Sequence, residues 1–103
     1  MYIVNTSFSV DPRIHDLWLE TLRGGYIPSL RLRGLDGIVF TRVLSDKAED
    51  HFTYSLQVAL EDMAAYRIYV EEVFPEYAAM ARKAFGDRVL WFNSLLKRVE
   101  IQQ

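Results

Sequence analysis

Tyr2, Val4, Thr6, Phe8 and Val10 alternate with Ile3, Asn5, Ser7 and Ser9 at the start of the chain. A period of two puts these sets on opposite faces of a strand from Tyr2 to Val10, one face apolar and the other small and mostly polar. The pattern returns later: Phe52, Tyr54, Leu56 and Val58 alternate with Thr53, Ser55, Gln57 and Ala59, which predicts a strand from His51 to Ala59. Leu35 to Leu44, rich in Ile38, Val39, Phe40 and Val43, and Arg88 to Val99 (RVLWFNSLLKRV) supply two more strands. The charged stretch Ser45 to Asp50 reads as an exposed link, short enough to require an antiparallel hairpin.

Between the strands the period changes to that of a helix. Asp11-Pro12 is a start signal, an acceptor side chain followed by a residue that needs no N–H donor in the first turn. The helix it opens is predicted to run to about Arg23, burying Ile14, Leu17, Trp18 and Leu22, and to stop at Gly24-Gly25. Pro28 then opens a second short piece, closed after Arg33 by Gly34. A longer helix starts at Glu61-Asp62 and ends at Gly86, with Met63, Tyr66, Val70, Phe74, Tyr77, Ala81 and Ala84 as its stripe. Pro75 should kink it or make it restart.

The order β-α-β-β-α-β in 103 residues predicts an α+β fold, the ferredoxin-like split βαβ sandwich, as a single domain over residues 1–103. The first and third strands lie in the middle of a four-stranded antiparallel sheet, and both helices cover one face, over Val4, Phe8, Tyr54, Leu56 and Val58. The other face, around Asn5, Ser7, Thr53, Ser55 and Gln57, is left open. Trp91 and Phe92 are neighbours and point opposite ways, so one of them looks away from the helices. An open face that lacks charge in its middle and takes large apolar groups from the second and fourth strands calls for a second subunit, and the expected partner is another copy of the chain, sheet to sheet.

Composition narrows the function classes. Half the residues are hydrophobic, a quarter are charged, and the net charge is −2, with no basic footprint for nucleic acid. The middle of the open face also lacks the aromatics on which single-stranded RNA stacks. The absence of cysteine excludes disulfides and thiolate chemistry and fits a reducing, cytoplasmic setting. No apolar run approaches a membrane span, and His15 and His51 form no metal motif, so no metal, cofactor or membrane contact is expected.

Several stretches together carry a resemblance: Ile3-Val-Asn-Thr, Ile14-His15 with Trp18-Leu19, Ile27-Pro28 with Gly34, Thr53-Tyr54 with Gln57, and Phe85-Gly86-Asp87. On these the chain resembles, nearly end to end, a bacterial domain-of-unknown-function family, number four-two-eight-six, whose members are similar to the dimeric α/β-barrel group of ferredoxin-like proteins. Tyr26-Ile27-Pro28 stands where that family favours His-Ile-Pro. The resemblance implies the barrel dimer and no assigned activity. Some members of the wider group are cofactor-independent monooxygenases, isomerases or haem-degrading enzymes with Asn, Trp and His or Tyr beside a cavity. On that likeness Asn5, His15, Trp18, Tyr26, Gln57 and Trp91 are the ligand-pocket candidates, and no catalytic residue is assigned.

The expectation is a small cytoplasmic homodimer with a binding or structural role rather than an enzyme. The alternatives are a cofactor-free monooxygenase or isomerase acting on a small hydrophobic compound, and a regulatory ligand-binding module. A closed cavity lined by His15, Trp18, Tyr26 or Asn5 would favour the alternatives; a solid core favours the first reading.

Overall fold

Four alternating stretches become four strands: β1 (Tyr2–Val10), β2 (Asp36–Val43), β3 (Phe52–Leu60) and β4 (Val89–Lys97). The computed structural model describes residues 1–45 and 50–101, and most of the predicted Ser45 to Asp50 link, residues 46–49, lies outside the described residues. The strands pair antiparallel in the order β2-β3-β1-β4, with β1 and β3 central as the pattern requires. Asn5 faces Gln57 across β1 and β3, Ser7 faces Ser55, and Phe8 lies between Tyr54 and Trp91. Val4, Thr6, Phe8 and Val10 are buried with Tyr54, Leu56, Val58 and Leu60, so the period-two reading chose the correct inward face.

β2 enters the sheet through a bulge between Asp36 and Val39. Gly37 there has φ of +60°, and a Cβ on it would sit 2.5 Å from the Ala59 Cβ. Only glycine meets both demands.

Asp11 caps the first helix as predicted, accepting from the Arg13 N–H at 2.8 Å. The Arg13 guanidinium also grips both carboxylate oxygens, and these bonds hold the Asp11 carboxyl well below the usual carboxylate range. A 3₁₀ turn, Pro12–Ile14, leads into α1 (His15–Thr21).

Gly24-Gly25 does not stop the helix. A π-turn, Leu22–Tyr26, carries the chain straight into α2 (Ile27–Leu32). Two glycines cost a helix about 2 kcal/mol in propensity, but Leu22, Tyr26, Ile27 and Leu30 are all buried on its core side, and that burial outweighs the cost. The predicted stop lies ten residues later. At Gly34, φ +82°, the Gly34 N–H donates to the Arg31 carbonyl and the Leu35 N–H to the Leu30 carbonyl, a Schellman ending.

The second helix repeats the device. α3 (Met63–Ile68), capped by Asp62 through the Ala65 N–H at 2.9 Å, passes through a π-turn, Tyr69–Val73, into α4 (Phe74–Phe85). Each π-turn is followed within two residues by a proline, Pro28 or Pro75, so the expected kink at Pro75 takes the form of a widened turn before it. The extra residue also shifts the buried stripe. Tyr69, Val73, Phe74, Tyr77, Ala81 and Phe85 are buried, whereas Met63 and Ala84 of the predicted stripe are exposed. Leu17 is likewise 59 % exposed, because the inward set of the first helix follows Ile14, Trp18, Leu22 and Tyr26. Both helices cover the same face of the sheet, and their aromatic residues close the core: Trp18 lies 5.2 Å from Phe8 and 5.1 Å from Tyr54, ring centre to ring centre.

Candidate functional site

The helix layer holds a set of buried hydroxyls that periodicity alone does not distinguish from ordinary apolar positions. Tyr26 closes the first π-turn and Tyr69 opens the second, and their hydroxyls meet at 2.6 Å. Tyr69 also bonds Thr6, whose own hydroxyl donates to the Asn93 side chain. Next to them the Trp18 indole N–H donates to the Tyr77 hydroxyl at 2.9 Å. Burial raises all three tyrosine pKa values: that of Tyr77 is pushed up to about 12 despite the Trp18 donor, and Tyr26 rises further with Tyr69 beside it. Among the described residues no buried side-chain polar atom lacks a partner. The polar groups of the core are satisfied.

His15 sits at the rim of that core. Its Nε2 lies 2.6 Å from the Tyr54 hydroxyl and its Nδ1 3.0 Å from the Asp16 carboxylate, while Phe52 packs edge-on against the ring at 4.6 Å. Asp16, His15 and Tyr54 thus form a short relay from solvent to a buried phenol. The Tyr54 partner could not have been read from the sequence, since 39 residues separate the two.

The six pocket candidates do not converge. Trp18 and Tyr26 are bonded within the core, and His15 lies at its edge. Trp91 also faces the helices, against Tyr77 at 5.6 Å and Phe74 at 6.2 Å, with the Arg82 guanidinium above its ring. Asn5 and Gln57 lie paired on the opposite side of the sheet, where the Ser55 hydroxyl donates to the Asn5 side-chain carbonyl.

That open side has a definite pattern. Its spine is Asn5, Ser7, Ser55 and Gln57; its flanks are Val39 and Val43 on β2 and Leu90, Phe92 and Leu96 on β4. Phe92 is 64 % exposed and Leu90 58 %. Ile3, Ser9, Thr41, Thr53, Ala59 and Ser94 complete it, and its middle carries no charged side chain; Asp36, opposite Ala59, stands at its edge.

A groove of about 760 Å³ runs on the other side of the molecule, between the first π-turn and α4. Leu17, Tyr26, Tyr77 and Met80 form its apolar walls, and Glu20, Thr21, Ser29 and Glu76 its polar ones, with Gly24 and Gly25 along one edge. Among the described residues no group of three His, Asp or Glu side chains could hold a metal ion, and no helix is long and apolar enough to cross a membrane.

A four-stranded antiparallel sheet with two helices on one face in this order is the ferredoxin-like α+β fold, and solved structures agree. A dimeric ferredoxin-like protein from an uncultured marine organism superposes with a TM-score of 0.56 at 14 % identity, covering 97 % of each chain. A candidate antibiotic biosynthesis monooxygenase from Bacteroides thetaiotaomicron gives a TM-score of 0.51 at 22 % identity, over 98 % of this chain and 90 % of that one. The family model described as Domain of unknown function (DUF4286) matches residues 1–99, and the chain belongs to that family. No curated protein matches the sequence.

Proposed function

We propose that the chain is one domain that works as a homodimer, open sheet face against open sheet face, in a binding or structural role without catalysis. The observation that supports this reading is the open side, uncharged in its middle, with its apolar flanks. In a twofold interface each residue near the axis meets its own copy, so a charge there would face its like. This face has none in its middle, and its polar spine is small enough to lie flat against another sheet. Four strands about 4.8 Å apart and about nine residues long present on the order of 500 Å² in projection, which suits an interface of roughly 800 Å² accessible area per partner. A cytoplasmic location suits a cysteine-free dimer of this kind. The satisfied polar groups of the core and the scattered candidates Asn5, His15, Trp18, Tyr26, Gln57 and Trp91 weigh against an enzyme pocket in the monomer.

The test is mass in solution. Light scattering at micromolar concentration should give twice the 12.0 kDa of one chain. Phe92→Lys should weaken the dimer about a hundredfold, because each of two copies loses roughly 1–2 kcal/mol of apolar burial and gains a facing charge. A wild-type monomer at tens of micromolar would end this reading.

One feature favours a second reading, a cofactor-free monooxygenase or isomerase acting on a small hydrophobic compound: the Asp16-His15-Tyr54 relay, which could take a proton from a phenol-like substrate. It requires oxygen uptake or isomerisation with small phenols that Tyr54→Phe abolishes. Turnover insensitive to that change would remove it.

A further inference from the structure

Gly24 and Gly25 lie in mid-helix with no backbone reason to be glycine. The positive-φ glycines are Gly34, Gly37 and Gly86, so neither of this pair needs the left-handed region. Packing gives no reason either, since a Cβ on either would meet nothing within 4 Å. The helix bears their low propensity without any return in folding. Both border the groove between the first π-turn and α4, where a side chain would occupy open space.

The polar groups of that groove are of one kind. Thr21 and Ser29 spend their hydroxyl hydrogens on the carbonyls of Trp18 and Tyr26, each at 2.6 Å, which leaves only acceptor lone pairs. Pro28 has no N–H, so the carbonyl of Gly24, at the groove's edge, loses the donor an α-helix supplies. Glu76 is paired with Arg33 at 3.0 Å, while Glu20 makes no ion pair or hydrogen bond among the described residues. Acceptors and one free carboxylate beside apolar walls ask for a donor that carries positive charge on an apolar body.

We propose that this groove binds a small organic amine, with its apolar part against Leu17, Tyr26, Tyr77 and Met80 and its ammonium group on Glu20. The glycines keep the groove open. The site lies on the helix side of the sheet, so it stands or falls independently of the dimer.

Phenethylamine is a suitable probe, titrated into the ¹⁵N-labelled full chain with 3-phenylpropionate as the anion of similar shape. Saturable shifts at the Gly24, Gly25 and Tyr77 amides are expected with the amine in the millimolar range and none with the carboxylate. Glu20→Gln should weaken the amine about fivefold. Gly25→Leu should abolish its binding while leaving the melting temperature unchanged or higher, because leucine is the better helix former. The proposal is overturned by an absence of saturable shifts, by an equal response to both probes, or by binding that survives Gly25→Leu or is indifferent to Glu20→Gln.

Discussion

Raising the pH should unfold this protein earlier than its charge balance would suggest, because three phenols are buried in one place. Tyr26, Tyr69 and Tyr77 are 8 %, 1 % and 3 % exposed, and all titrate above their ordinary value in the folded chain. In the unfolded chain they titrate near 10. Between these limits the unfolded state has lost protons that the folded state keeps, so stability falls as pH rises; below about pH 9 the effect vanishes. At about pH 11 each tyrosine removes roughly 1.4 kcal/mol, about 4 kcal/mol for the three, out of a total of typically 5–15 kcal/mol. Urea unfolding followed by circular dichroism at about pH 8, 9, 10 and 11 would show the midpoint flat and then steeply declining. Tyr77→Phe should lessen the decline by about a third. Stability that stays level to pH 11, or tyrosinate absorbance showing these three titrating near 10 in the folded protein, would refute the reasoning.

At the acid end, Asp11 supplies the opposite dependence: its carboxyl is held low by Arg13, so its contribution is complete above about pH 4 and is lost as pH falls below that, and Asp11→Asn should flatten the acid limb of a thermal melt. Gly37→Ala should cost about 2 kcal/mol or more in chemical denaturation, since the φ is positive and the new methyl group overlaps Ala59. Gly24→Ala and Gly25→Ala should instead each stabilise by roughly 0.5–1 kcal/mol in the same assay, and a loss would mean that the π-turn depends on glycine.

The sheet was legible because a period of two is unambiguous over nine residues: Val4 to Val10 and Tyr54 to Leu60 turned inward as the alternation requires. The helices were harder. Gly24-Gly25 looked like an end because local propensity is all that a glycine pair displays; what carries the helix through it is the burial of Tyr26, Ile27 and Leu30 against distant strands. The same limit hid the re-phasing of the second stripe, since a π-turn has no composition of its own beyond the proline that follows. Of the candidate site, the residue types were visible but their pairings were not. Tyr26 finds Tyr69 across 43 residues and Trp18 finds Tyr77 across 59, and no spacing rule reaches so far.

The two π-turns are, in effect, single-residue insertions fixed in the same place in both helices. Removing one residue from the first, Gly25 for example, would let the helix close into an uninterrupted α form with everything after it at the same angle, whereas an uninterrupted α form of the undeleted sequence would rotate everything after it by about 100°. In the second case Ile27 and Leu30 would swing out of the interior and the exposed Leu32 would swing toward it. One extra residue therefore holds the angular setting of each second half, and tolerance of a deletion there would show that the setting, not the widened turn, is what the interior requires.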